Sequence, residues 1–377
     1  MSCDQALAVW QWWRYCGDQL PAGKAFLRIN LDETSVCLFQ GGGKGTVFVR
    51  KSEGKKPKQK VSRGKRRCCL THVGLICDRS KLQPVLPQVV IGNEATFPAK
   101  ELEALKASSP ANVHLLRQKS AWNNIDTLVN IIELLAAALE PHTGELQPVL
   151  FLDACKIHLS SRVVAACNAA HIWLVVVPAQ MTWLLQPLDT HCFLQYKRQL
   201  KESYQAARCE PGCGDIAIHR FLLCLYHVIR YVMQAHKWSV AFDEDGFGAD
   251  PDRCRPCIKR ELGIEAPIAV PSHCPTDEQF QMCFPRRTKF SISDYLRPFF
   301  IGPAMPPRAL AAPKASPLQA ALAGFVIGPV DGPRQLRSHK RKADEAMAHT
   351  SGAAAPSRAR PQAVTPRGAR LLYRKPL

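Results

Sequence analysis

Three aspartates invite a chemical reading, because each ends or follows an apolar run. Asp32 closes the run 25–31 and begins Asp32–Glu33–Thr34. Asp153 closes Val149–Leu150–Phe151–Leu152 and begins Asp153–Ala154–Cys155–Lys156–Ile157–His158. Asp189 sits in Gln186–Pro187–Leu188–Asp189, just past the run 172–178. Acids at strand ends or opening a helix can converge on a divalent cation, and carboxylates suit hard Mg²⁺ or Mn²⁺. An unperturbed aspartate has a pKa of about 3.9, so all three are available as anions at pH 7. The trio points to metal-dependent chemistry on phosphodiesters. His158 is a further candidate, to position a phosphate or order the site. Glu33 is expected to face away from Asp32, since adjacent strand residues point to opposite faces. Thr182 and Gln186 would either contact phosphate or fix the turn before Asp189, and Trp122 is expected to pack.

The elements that must place these acids can be read from periodicity. Residues 25–32 read as a buried strand, and 36–40 as a second. Apolar runs at 68–77 and 82–91 follow at strand length, so consecutive strands precede any long helix and suggest an antiparallel meander. A short helix is expected over 97–106 and a short strand over 113–116. Ile125, Leu128, Val129, Ile132, Leu135, Ala136 and Leu139 recur at helical spacing, which predicts an amphipathic helix over 125–139. A strand (149–153), a helix (160–170), a strand (172–177) and a long helix opening near Gln186 come next. Continuous apolar runs in these later strands fit buried parallel pairing. The expected class is α/β, an RNase H-like mixed sheet with a meander followed by β-α-β-α, flanked by helices.

Charge is unevenly placed along the 377 residues. The formal net is +19, yet residues 44–67 and 301–377 each carry a net of +10, leaving the remainder close to neutral. Concentrated basic charge suits a polyanion, and DNA is the favoured partner. Lys55, Lys56, Lys58, Lys60, Lys65, Arg66 and Arg67 are the candidate phosphate contacts, in a sequence-independent and salt-sensitive mode. From Pro303 onward, eleven prolines in 75 residues mark a basic tail expected to be disordered. Its run Arg337–Ser338–His339–Lys340–Arg341–Lys342 resembles a nuclear localisation signal. No apolar stretch reaches membrane-spanning length, so no membrane partner is expected. The sixteen cysteines follow no secretory signal and are expected to be reduced thiols inside the cell. Cys254 and Cys257 have metal-ligand spacing, with Cys209, Cys213, His273, Cys274 and Cys283 nearby in sequence. Their irregular spacing favours ordinary thiols over a structural zinc.

Four ordered blocks carry a resemblance: Leu31–Asp32–Glu33–Thr34, Ser120–Ala121–Trp122–Asn123, the stretch from Leu152 to His158, and the stretch from Pro178 to Asp189. The last, Pro178–Ala179–Gln180–Met181–Thr182–Trp183–Leu184–Leu185–Gln186–Pro187–Leu188–Asp189, is the most specific. Together they resemble the DDE superfamily endonucleases, the catalytic domains of mariner/pogo-type transposases. Ala154 departs from the Asn that many relatives carry there. Only 31 residues precede Asp32, where relatives usually have a helix-turn-helix module. The resemblance therefore implies a catalytic domain rather than a whole transposase. Trp10, Trp12 and Trp13 look like the family's helix before the first strand.

By that resemblance the chain divides into a pre-strand helical segment (1–24), a catalytic core (25–208), a helical, cysteine-containing closing region (209–300) and the tail (301–377). Asp32, Asp153 and Asp189 are then both the catalytic and the metal-binding residues. Asp32 would bridge two Mg²⁺ or Mn²⁺ ions, with Asp153 and Asp189 each holding one. The implied activity is DNA cleavage and strand transfer in the nucleus, by a chain able to form a homodimer. Two competing readings are a decayed or domesticated element that binds nucleic acid without cutting it, and a zinc-stabilised interaction protein.

Overall fold

A computed structural model of the chain describes residues 3–37, 69–94, 97–106, 108–178, 180–209, 218–235, 237–264 and 268–285. The basic segment 44–67, with its candidate lysines and arginines, lies outside the described residues, as do Cys213 and the tail with Arg337–Lys342. Six strands form among the described residues: β1 (Ala25–Cys37), β2 (Cys69–Cys77), β3 (Gln88–Asn93), β4 (Val113–Gln118), β5 (Leu146–Asp153) and β6 (Trp173–Val177). They make one sheet in the order β4-β3-β2-β1-β5-β6. The β1–β2 and β2–β3 pairs are antiparallel, whereas β3–β4, β1–β5 and β5–β6 are parallel. This is the expected mixed sheet of an α/β, RNase H-like fold, flanked by helices.

Two strand boundaries differ from expectation, each for a physical reason. The expected break after Asp32 does not occur, and β1 runs on through Cys37. Its partner β2 supplies ladder bonds across the polar stretch Glu33–Ser35, pairing it with Val73, His72 and Thr71. Asp32 is therefore inside a strand rather than at its end. The run 82–91 also splits. Pro84 and Pro87 interrupt it, and Gln83–Val85 form a 3₁₀ turn before β3 begins. The buried Gln83 side chain compensates by bonding the Cys77 amide (2.7 Å) and the Leu75 carbonyl (3.0 Å).

Helices cover both faces. Helix α1 (Cys3–Asp18) buries Trp10, Trp12 and Trp13. Trp13 stacks on Phe26 and Phe151 of the sheet, with centroids 4.7 and 5.4 Å away. On its other side Trp12 meets Phe280, which belongs to a short helix with a capping box at Thr276. Helix α2 (Ala99–Lys106) leads to β4. Helix α3 (Ile125–Leu139) has the expected bounds, because the Asn124 side chain accepts from the Thr127 amide and Pro141 follows its last turn. Helix α4 (Ser161–Ala169) connects β5 to β6 and contacts α3. After β6 come the short α5 (Thr182–Leu185), a π-helical turn (Leu188–Cys192) and the long α6 (Phe193–Cys209).

His72 anchors α6 to the sheet. Its Nδ1 lies 2.8 Å from the Tyr196 hydroxyl and its Nε2 3.2 Å from Gln88 Oε1, all buried. Gln88 Oε1 only accepts, so Nε2 carries the proton and Nδ1 accepts from the tyrosine. Burial pushes the His72 pKa down to about 4, against an ordinary value of 6.5. A folded pKa below the unfolded one means that acid favours the unfolded chain. This contribution is intact above pH 6.5 and is lost as the pH falls towards 4, for a total of about 3 kcal/mol. Urea midpoints should therefore drop between pH 6.5 and 4.5, and His72→Gln should flatten that drop. A wild-type-like pH dependence in the variant would contradict the assignment.

Candidate active site

The acids are brought near one another because β1 outruns β5. Their parallel pairing ends at Asn30↔Phe151, and two more residues along each strand would set Asp32 beside Asp153. Pairing of β1 with β2 continues to Cys37↔Cys69. The edge of β1 that faces β5 is thus open at Asp32. Asp153 ends β5, still paired with Val177 of β6. Asp189 arrives from above the sheet on the π-helical turn.

The turn is seated by residues on the same face as Asp32. Asn30, two positions before it, is fully buried, donating to the Phe151 carbonyl (3.0 Å) and accepting from the Leu188 amide (2.8 Å). That amide opens the turn, where backbone donors lack intrahelical partners. Gly74 lies directly opposite Asp32 across the β1–β2 ladder. A Cβ there would come within 2.8 Å of Met233 Cε and 3.4 Å of Phe193. The missing side chain lets Phe193, Leu188 and Met233 settle onto the sheet, which brings Asp189 down to Asp32.

On the opposite face a second chain of contacts holds Asp153. The buried His158 bonds the Asp153 carboxylate through Nδ1 and approaches Glu33 Oε1 through Nε2 at 3.2 Å. Asn123, just before α3, donates to the same Glu33 oxygen at 2.5 Å. The Cys155 amide also donates to Asp153, at 3.1 Å. Glu33 does face away from Asp32, as strand geometry requires, yet it belongs to the site because His158 links it to Asp153. His158 is therefore bound to carboxylates rather than free to meet a phosphate directly.

Electrostatics follow from this crowding. Burial raises the Asp32 pKa well above the usual range, and the charges of Asp189, Glu33 and Asp153 raise it further. Burial and Asp153 also raise the Asp189 pKa, while the Thr182 hydroxyl and Lys197 oppose the rise. Burial alone would lower the His158 pKa. Its hydrogen bonds to Asp153 and Glu33, and their charges, hold it well above the imidazole range instead. A site that holds carboxylates against their own repulsion favours cations. The donor set, all carboxylate oxygen, has the hardness that Mg²⁺ or Mn²⁺ prefers. Among the described residues, however, no three His, Cys, Asp or Glu side chains stand close enough to grip one ion as they are placed.

Asn30, Asn123 and Lys197 gain roles that spacing alone did not assign, and Thr182, expected to contact phosphate or fix the turn, bonds Asp189. A polar residue inside the apolar run 25–31 was the available signal for Asn30. Trp122 was expected to pack but is 77% exposed, and Trp183, beside Thr182, is 52% exposed. The side chain of Gln186 is buried, and its amide has no hydrogen-bond partner among the described residues. Its backbone carbonyl instead accepts from the Thr190 amide at 3.0 Å. Gln186 therefore fixes the turn rather than reaching for phosphate. Cys254 is buried, Cys257 half-buried and Cys274 exposed. No helix among the described residues is long and apolar enough to cross a membrane.

Replacing Asn30 by Leu, close in volume, should strand the Leu188 amide without an acceptor. The expected loss is about 1–3 kcal/mol in urea denaturation, the usual cost of an unsatisfied buried donor. An unchanged midpoint would mean that Asn30 does not seat the turn.

Residues 71–242 match the family model of the DDE superfamily endonucleases. The match spans β2 to the short helix Ser239–Phe242 and includes Asp153 and Asp189, whereas Asp32 and Glu33 precede it. No curated protein and no solved structure matches the chain. With a mixed sheet and acids near the open edge of its central strand around it, the stretch 71–242 of this chain is a DDE superfamily endonuclease region.

Proposed function

We propose that the chain is a transposase-type DNA endonuclease of the mariner/pogo kind, cutting and joining phosphodiesters with Asp32, Asp153 and Asp189. The observation that supports this reading is that Asp153 and Asp189, from segments far apart in sequence, lie near enough to the open edge of β1 for their charges to raise the Asp32 pKa. Two Mg²⁺ or Mn²⁺ ions, when bound, supply charge neutralisation at the attacking and leaving oxygens. The carboxylates of Asp32, Asp153 and Asp189 would hold them. Protonated His158 orients Asp153, and Asn123 fixes Glu33 behind it. Lys197, whose charge is felt at Asp189, offers a cation towards a substrate phosphate. The exposed rings of Trp122 and Trp183 offer stacking surfaces for nucleobases. The basic run 44–67 and the tail supply further phosphate contacts, and the signal-like stretch Arg337–Lys342 fits work on DNA in the nucleus.

A second reading, nucleic-acid binding without cleavage, is favoured by one observation. The imidazolium of His158 already occupies Asp153, and no trio of ligands closes on a point among the described residues. Labelled DNA incubated with Mn²⁺ separates the two. The endonuclease reading expects nicking by the wild type that Asp153→Ala abolishes with DNA retention unchanged. Retention without nicking by either protein would establish the binding-only reading.

Neutralising Lys55, Lys56, Lys58 and Lys60 should weaken DNA binding and flatten its salt dependence, by roughly one unit of log–log slope for each phosphate no longer neutralised. A slope equal to that of the wild type would remove this segment from the DNA path.

A further inference from the structure

Behind the Asp189 turn lies a polar cluster whose acids and arginine the family match does not reach. The segment Asp243–Phe247 follows the matched residues and kinks at Gly246. Within it, Asp245 is the one acidic residue that is buried among the described residues. Its Oδ2 lies 2.6 Å from the Thr190 hydroxyl, in the residue next to Asp189. Its Oδ1 lies 2.8 Å from Arg255 Nη2, and the same nitrogen donates to the Leu184 carbonyl at 2.7 Å. Arg255 thereby ties the end of α5, before the turn, to the carboxylate that meets Thr190 within it. Next to Asp245, Glu244 Oε2 lies 2.8 Å from His191 Nε2, and His191 Nδ1 lies 2.7 Å from the Thr190 hydroxyl.

The cluster has its own backing. The indole Nε1 of Trp10 donates to the Asp245 carbonyl at 3.3 Å. Gly246 follows with φ of +85°, and a Cβ there would run into the Trp10 ring. Only glycine combines that backbone with that contact. Helix α1 therefore backs the segment Asp243–Arg255, which contacts the turn that carries Asp189, and both lie outside residues 71–242. A buried ion pair is weak evidence of stabilisation in itself, because desolvation offsets the attraction. Its better-attested use is to impose one geometry, and here that geometry belongs to a π-helical turn, a rare form often found at functional sites.

We propose that Asp245 is a positioning residue that sets the carboxylate of Asp189 through Thr190. The inference rests on the endonuclease reading for its purpose, though not for its geometry. Thr190→Val removes the hydroxyl while leaving the Asp245–Arg255 pair in place, and Asp245→Asn removes the charge. Hydrogen exchange of peptides covering residues 186–193, without metal, should speed up in both variants, while peptides from β5 and β6 keep wild-type rates. In Mn²⁺ titrations followed by calorimetry, each variant should bind about tenfold more weakly, the lower end of what removing a partner that orients a metal ligand costs. The double variant should be no worse than the worse single one, because both act through one contact.

Unchanged exchange in a folded Thr190→Val protein would overturn the proposal. So would faster exchange throughout the sheet, or effects that multiply in the double variant. A wild type that takes up no Mn²⁺ would defeat the endonuclease reading instead, and the exchange rates would still decide the role of Asp245.

Discussion

Gathering like-charged carboxylates around one open strand edge is the constraint to which the rest of this structure answers. Asp32 feels the charges of Glu33, Asp153 and Asp189 where β1 continues and β5 stops. Left alone, such a group would relax by side-chain rotation or by protonation. Burial raises the pKa values of Asp32 and Asp189, and the neighbouring carboxylate charges add to the rise. His158 relieves part of the repulsion by placing one buried cation between Asp153 and Glu33. A charged histidine paired on both ring nitrogens has no freedom left, so it also fixes the orientation of Asp153.

The two faces of the sheet divide the work of holding the acids. On one face Asn30, Gly74 and the anchor His72–Tyr196 bring the turn and α6 down onto the sheet. On the other, Asn123 and His158 hold Glu33 and Asp153 from the segments that lead into α3 and α4. Adjacent residues of β1 thus serve opposite layers, and a strand is the one element whose geometry allows it. Thr190 and Asp245 extend the support outward to α1 and the chain after residue 242. The acids are carried by a sheet with a small tolerance for movement, because the side chains that seat the turn are buried.

Much of the fold was legible from residue patterns. Helix 125–139 could be placed to the residue, since its apolar spacing, its Asn124 cap and Pro141 agree. The β5 and β6 strands were visible as uninterrupted apolar runs because parallel strands are buried on both faces. Residue patterns misled where a partner strand decided the outcome. Glu33–Thr34–Ser35 looks like a break until β2 is present to bond its backbone. Trp122 looks like a core residue by composition, and nothing local reveals that its loop turns it outward.

The chain by itself determined which side chains are chemically able to act, because the identity and order of Asp32, Asp153, His158 and Asp189 are written in it together with the apolar runs that carry them. Tertiary structure alone decided which of these groups touch. That Glu33 reaches Asp153 through His158, that Asn30 receives the Leu188 amide, and that Asp245 stands behind Asp189 depend on strand register and on the seat that Gly74 leaves open. Each is a contact between residues tens to hundreds of positions apart. Local propensity and periodicity carry no information at that range, since such distances are set by how whole layers pack.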